Sequence, residues 1–327
     1  KVLINPTMDT VFNNGDSVIA ISEDDYTIKL SGKTTFDIKH NLFNRAEVKN
    51  VGIEKTLILG WNDRGVRVIE ELDNYVASGS QITIVADIDG ISMQIAELKK
   101  SVQNQKIDFI KGDINDKATL VNLKPETYDH LILLSYMDID LQESDAKTLI
   151  CLLHLRNLSE KVGKDFSIVS EMLDIRNRDL GVVAKADDFI ISHNLISLML
   201  SQLSENKDLK KVYDILFQAE GSEVYLKPVS RYVKHGEPVN FYTVLESAAQ
   251  LNETAIGYRI STQSSDSEKK YGININPLKS NIINFIEDKF SFPYLYYNKT
   301  EQTWSNEFFL YDIKTGVMYV SDEAKSI

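Results

Sequence analysis

Gly60 and Gly65 stand at the end of an apolar run and at the entry of a helical pattern, in the stretch TLILGWNDRG. These are the first and third glycines of the G-x-G-x-x-G fingerprint. In that motif the backbone approaches a pyrophosphate and a helix N-terminus faces its charge. Asp87 ends the next apolar run, QITIVADID, where the motif puts the acid that bonds a ribose hydroxyl. The middle glycine is replaced by Asn62, whose side chain obstructs the close backbone approach. Asp63 adds a negative charge at the same helix entry, and the sequence leaves open whether Arg64 offsets it. Gly60, Asn62, Arg64, Gly65, Asp87 and, after a third strand, Asp113 are therefore candidate contacts for NAD or another adenine nucleotide. They fit equally a structural assembly domain with a dead nucleotide site, since folds outlive their sites.

The acids form a second candidate set. YMDIDLQESDAK places Asp138, Asp140, Glu143 and Asp145 after a fourth strand, and Glu171 and Asp174 close a fifth. Calcium takes several hard oxygen ligands, which clustered carboxylates supply. The competing reading is solvated loop acids in an acidic chain. No catalytic constellation is visible. His40, His130, His154, His193 and His235 are scattered without metal-ligand spacing, and neither G-x-S-x-G nor a P-loop occurs. A soluble NAD-dependent oxidoreductase needs the middle glycine and a catalytic residue in the second lobe, and neither is found.

The elements that must position these residues alternate. Short apolar runs bounded by turn residues read as buried strands. Between the first two, Val66, Ile69, Leu72 and Val76 fall on one helical face, and Gly79 sits at a helix C-cap position. Helix ISMQIAELKK, strand KIDFIKGDI, short helix NDKATLVNL, strand DHLILLSY, helix DAKTLICLLHLRNLSEKVG and strands FSIVSEML and DDFIIS follow. This order predicts a Rossmann-like α/β fold with a doubly wound parallel sheet, whose ligands bind at the carboxyl edge of the strands. Two apolar helical stretches, HNLISLMLSQL and DLKKVYDILFQAEG, exceed what one sheet face needs, and read as crossover helices to a partner subunit or as extra core. From residue 223 the pattern is a small α+β lobe. It comprises strand EVYLKPVSRYV, helix NFYTVLESAAQLNE, strands TAIGYRIS and YGINI, and a final hairpin turning at residues 314–316.

Composition narrows the class. The chain has 327 residues, 43% of them hydrophobic, enough for a large core and about two domains. A net charge of −12 argues against a general nucleic-acid binder, which needs a basic face. Cys151 is the only cysteine, so no intrachain disulfide forms. The longest apolar run is too short for a bilayer, which takes about 20 residues.

Near the chain's start Ile4-Asn5-Pro6 aligns with Ile275-Asn276-Pro277 near its end, each followed by an acid and an apolar strand. This suggests two copies of one domain ending.

LILGWNDRG, SIVSEMLDIRNRDL, DDFIISHNLISLMLSQLSENKDL and FYTVLESAAQLNETAIGYR together resemble the cytoplasmic region of CASTOR/POLLUX-type ion channels, from about residue 56 to 259. More broadly the layout is similar to RCK regulatory domains of potassium and other cation channels. The resemblance implies the tail of a preceding C-lobe over 1–25, a linker over 26–55, a Rossmann-like N-lobe over 56–192, crossover or dimerisation helices over 193–222, and a C-lobe with terminal hairpin over 223–327. It implies a cytoplasmic, ligand-sensing gating module rather than an enzyme, itself soluble. The module would associate as a dimer, as a tetrameric ring in the full channel, under a membrane pore upstream in the same chain. Calcium-gated members of that superfamily carry acids after the corresponding strands, which maps a calcium site onto Asp140 and Glu171. The ending departs from the family pattern: FSFPYLYY carries Pro293 inside the strand.

Overall fold

The computed structural model describes residues 2–7, 9–22, 32–46, 52–177, 189–219, 221–263, 269–277, 279, 282–284, 296–298 and 303–305. The chain forms two compact units, Asn50–Glu223 and Lys1–Lys49 with Val224–Ile327.

The first unit is built on β1 (Lys55–Leu59), α1 (Arg64–Tyr75), β2 (Ser80–Ala86), α2 (Ile91–Ser101), β3 (Gln105–Lys111), α3 (Lys117–Leu123), β4 (His130–Leu133), α4 (Leu141–Val162), β5 (Ile168–Met172) and β6 (Phe189–Ile191). The six strands form one sheet in the order β3-β2-β1-β4-β5-β6, all pairs parallel. This is a Rossmann-like doubly wound sheet whose order reverses between β1 and β4. A parallel sheet covered on both faces wants continuous apolar strands. Accordingly Leu57, Ile58, Leu59, Ile84 and Val85 are fully buried. Leu57, Leu59, Leu131, Leu133, Leu152 and Leu155 build the core on one face. Ile58, Trp61, Ile69, Ile84, Ile95 and Leu98 build it on the other. Cys151 packs in the first core with no exposure, and burial pushes its thiol up.

Two buried acids tie helices to neighbouring backbone. Asp73 on α1 accepts from the Gln103 and Asn104 N–H groups at 2.7 and 2.9 Å, fixing the turn before β3. Asp145 on α4 accepts from Leu173 N, Asp174 N and Asn177 Nδ2 at 2.9, 3.0 and 2.7 Å, bracketing the end of β5. A buried carboxylate is tolerated only with its acceptor capacity used in this way.

Two further helices follow β6: α5 (Ser192–Glu205) and α6 (Leu209–Leu216). Leu195, Ile196, Leu198 and Leu200 on α5 are 47–63% exposed.

The second unit contains β7 (Pro238–Asn240), α7 (Phe241–Ala249), β8 (Gly257–Gln263), β9 (Lys269–Ile275) and β10 (Ile282–Asn284). β8 and β9 pair as an antiparallel hairpin, and β10 pairs with β7. Asn240 caps α7, its Oδ1 accepting from Thr243 N at 3.0 Å. Leu42, Val233, Val239, Phe241, Val244, Tyr258 and Ile283 form its core.

Three sequence expectations meet a different structure here. The apolar run Val18 to Ile21 after the first Ile-Asn-Pro segment forms no strand, and Val18, Ile19 and Ile21 are exposed. The stretch 223–233 is not a strand. Pro228 lacks the N–H a ladder needs, and Val229–Arg231 forms a 3-10 turn. The polar stretch that reads as linker places its described residues 32–46 in this unit. Phe43 bridges Val233, Lys234 N donates to Leu42 O at 2.9 Å, and Asn44 N donates to Tyr232 O at 2.9 Å. Leu42 is its one apolar side chain in the core, which is why periodicity does not show it. The hairpin turn at residues 314–316 lies outside the described residues.

Replacing Asp145 with Leu should leave the Leu173 and Asp174 amides buried without acceptors. Each such group costs about 1–3 kcal/mol, so urea unfolding should report a loss of at least that size, with Asp145→Asn intermediate.

Candidate functional site

The carboxyl ends of β1, β2, β4 and β5 converge where the sheet order reverses, the place where open α/β sheets bind ligands. Gly60 sits there with φ +81°, and a Cβ on it would lie 2.2 Å from the Leu134 carbonyl oxygen. Only glycine allows β1 and β4 to diverge from so close an approach. The next residue, Trp61, turns inward and is 4% exposed, with Nε1 donating to Gln94 Oε1 at 3.2 Å. Its ring covers Gly65, where a Cβ would lie 2.7 Å away. Gly65 therefore serves helix-to-turn packing.

Asn62, at the missing glycine position, is buried and fully engaged. Its Oδ1 accepts from Arg64 N at 3.0 Å, and its backbone oxygen accepts from Gly65 N at 2.9 Å. These are the first amides of α1, so Asn62 caps the helix in the manner of an N-cap asparagine. Its Nδ2 donates to Ser135 O at 2.7 Å and to Glu171 Oε2 at 2.8 Å. Glu171 Oε2 also accepts from Ser135 Oγ at 2.8 Å and Ser135 N at 3.3 Å, and Oε1 pairs with Arg64 Nη1 at 2.9 Å. Glu171 is buried, and its charge is balanced by an intermediate-exposure arginine. Arg64 completes its shell with the Met137 sulfur at 3.1 Å, and its Nε is enclosed with no partner among the described residues.

The remaining candidates follow the carboxyl ends of β2 and β3. Asp87 is exposed, 3.9 Å from Lys111 Nζ, which bonds Asp89 more closely at 2.5 Å. Asp113 is exposed, and its Oδ1 accepts from Asn115 N at 2.8 Å. Tyr136 stands near both. Burial, helped by the Asp113 charge, pushes its hydroxyl up to about 12.

The acids after β4 and β5 have separate partners. Asp140 caps α4, its Oδ1 accepting from Gln142 N at 2.9 Å. Glu143 pairs with Lys147, Asp145 is the bracket described above, and Glu171 faces Asn62 and Arg64. Among the described residues no group of three or more His, Cys, Asp or Glu side chains could hold a metal ion. Spacing alone does not reveal Ser135 or Trp61 as part of this site, because Ser135 acts through the distant Glu171 and the inward turn of Trp61 depends on the packing around Gly65 and Gln94.

Asp174 accepts from Arg176 Nε and Nη2 and from Gln142 Nε2. The Arg176 hydrogen bonds hold its carboxyl at about 2.

A doubly wound α/β unit with a substituted glycine turn, followed by two helices and a small α+β lobe, defines the class as Rossmann-like. No family model matches the chain. Its curated homologues are CASTOR/POLLUX ion channels. It is 26% identical over 295 residues to the probable ion channel POLLUX of Arabidopsis thaliana, covering 80% of this chain and 36% of that one. It is 26% identical over 298 residues to the ion channel DMI1 of Medicago truncatula, covering 80% and 34%. It is 24% identical over 294 residues to the ion channel CASTOR of Lotus japonicus, covering 80% and 34%. The chain thus spans about a third of the length of the curated relatives it matches. Among solved structures, the human SLO3 gating ring aligns with TM-score 0.46 at 14% identity, over 71% of this chain and 42% of that one.

Because the folded-state pKa of Asp174 is depressed, its contribution to stability is present above the ordinary carboxylate value of about 3.9. That contribution fades as pH falls toward about 2. In Arg176→Gln the NMR titration midpoint of Asp174 should rise toward the ordinary value, and acid unfolding should begin at higher pH than in the wild type.

Proposed function

We propose that this chain is the cytoplasmic, ligand-sensing regulatory part of a cation channel of the CASTOR/POLLUX type, a binding module rather than an enzyme. The observation that carries the reading is homology to ion channels over 80% of the chain. The fold supports it by supplying a carboxyl-edge crevice, the place where a ligand can bias one conformation over another. Ligand binding moves such an equilibrium only through its differential affinity for the two states. Of the proposed ligand contacts, Gly60, Asn62 and Gly65 are buried and shape the turn, while Arg64, Asp87 and Asp113 are the accessible ones. Asp140 and Glu171 remain the proposed calcium pair. A calcium ion there has to displace Arg64 from Glu171 and free Asp140 from its cap.

Assembly belongs to the same proposal. The exposed apolar side chains of α5 suit a face that a second copy covers, as a ring under a pore requires. The reading of residues 1–25 as the tail of a preceding C-lobe is supported by backbone geometry. Asn5 and Asn276, in the two matching Ile-Asn-Pro segments, both take positive φ, 57° and 50°. Both also donate through Nδ2 to carbonyls across the unit, Asn252 O and Ile21 O. Among the described residues no helix is long and apolar enough to cross a membrane, so the proposed pore belongs to other segments.

The test is a chimera in which residues 1–327 replace the matching segment of the Arabidopsis POLLUX channel, with cation flux measured in vesicles. Flux that responds to calcium or another soluble ligand supports the reading, and flux insensitive to every ligand tried overturns it. A calcium site should also raise the chain's melting temperature, by about 2.7 kcal/mol of stability at a hundredfold excess over Kd. Magnesium should do less, and Asp140→Asn should remove the shift.

For assembly, light scattering should give at least a dimer. Leu198→Asp should dissociate it, because a charge buried without a partner costs several kcal/mol, on the order of 3–5. A wild-type monomer at high concentration would remove this part of the proposal.

A further inference from the structure

Resting on the ligand-sensing reading, we propose that Glu171 is a built-in anion which, together with Asn62, closes the helix-entry end of this crevice to phosphate-bearing ligands and leaves it to neutral or cationic ones.

A phosphate bound at the turn of a Rossmann-like unit needs free backbone amides at the helix start, a cation, and room for close approach. The first two amides of α1, the cation and the space are already committed within the chain. The Arg64 amide is taken by Asn62 Oδ1 and the Gly65 amide by the Asn62 carbonyl. The Arg64 guanidinium is taken by Glu171 Oε1 at 2.9 Å. The Ser135 hydroxyl and amide, which an incoming oxyanion could have used, both go to Glu171 Oε2. The room is filled by two side chains only 6% and 8% exposed.

The donor set converging on Glu171 is one that suits an oxyanion: an arginine, an amide N–H, a carboxamide and a hydroxyl. The chain fills it with its own tethered carboxylate. A tethered ligand competes at an effective concentration that a free one rarely reaches. Electrostatics point the same way. Among the described residues nearby, Asp63, Asp87 and Asp113 are exposed acids, and Lys111 is held by Asp89. A phosphate entering here would meet these acids, and the Arg64 cation is already paired with Glu171. This accounts for the departure from the glycine fingerprint: Asn62 supplies the cap that a ligand phosphate supplies in dinucleotide-binding folds.

The experiment is isothermal titration of the chain with AMP, ADP-ribose and NADH, comparing wild type, Glu171→Gln, Asn62→Gly and the double variant, with circular dichroism to confirm folding. The wild type should give no binding heat at millimolar ligand. Glu171→Gln is isosteric, removes the competing charge and releases Arg64. The double variant also restores the middle glycine and should bind at least one of the three ligands with affinity raised about tenfold or more. Adding Arg64→Gln to it should abolish the gain. Should the double variant not fold, the Glu171→Gln titration is read in its place. Micromolar binding by the wild type overturns the proposal, as does a folded Glu171→Gln variant that gains nothing alone or with Asn62→Gly. Wild-type nucleotide binding would leave the sensing reading intact, whereas a ligand-insensitive chimera would remove that reading without touching these titrations.

Discussion

The close approach of β1 to β4 at Gly60 is the constraint on which the first unit depends. With 2.2 Å between a notional Cβ and the Leu134 carbonyl, any other residue would push the two central strands apart. The sheet reverses its order at this pair, and α1 starts from the turn that Gly60 permits. Trp61 leaves the strand line here and is buried against α2, so the turn is held from below by an indole ring. The crevice therefore has a rigid floor, and its chemistry is set by the side chains at its mouth.

Those side chains satisfy one another. Desolvating a carboxylate is unfavourable unless donors surround it, and Glu171 has a guanidinium, a carboxamide, a hydroxyl and a backbone amide. The cluster joins the α1 entry, the loop after β4 and the end of β5. It does so at the point where a dinucleotide-binding relative of the fold would leave donors free. The Rossmann-like unit is kept while its phosphate end is filled from within, so the fold alone does not define the ligand. The same contacts tie β5 and the loop after β4 to the helix entry through Glu171.

Most of the acids after β4 and β5 have a structural partner. Six carboxylates lie in two short stretches. Asp140 caps a helix, Asp145 holds backbone amides, Asp174 is clasped by Arg176, and Glu171 faces the glycine turn. Helix starts and strand ends are rich in unpaired N–H groups, and carboxylates collect there to satisfy them. Proximity in sequence at the edge of a parallel sheet therefore reflects shared structural demand as readily as a shared ligand.

The sequence by itself determined the alternation of strands and helices, the doubly wound class, the glycine turn and the apolar character of α5, because each is written in local periodicity or in residue types with strong backbone preferences. Gly60 and Gly65 were legible as turn residues for the same reason. Only the tertiary structure decided what Gly65 is for, since its neighbour is a tryptophan ring whose inward turn no pattern announces. It alone brought Glu171 to Asn62, Asp73 to the turn before β3, and Asp145 to the end of β5. It also put residues 32–46, polar and patternless, against Val233 and Tyr232 in the second unit. Apart from the contact of Trp61 with Gly65, these are pairings between groups far apart in the chain. A polar side chain carries no period that reveals its partner, so its role is fixed only when the fold delivers that partner to it.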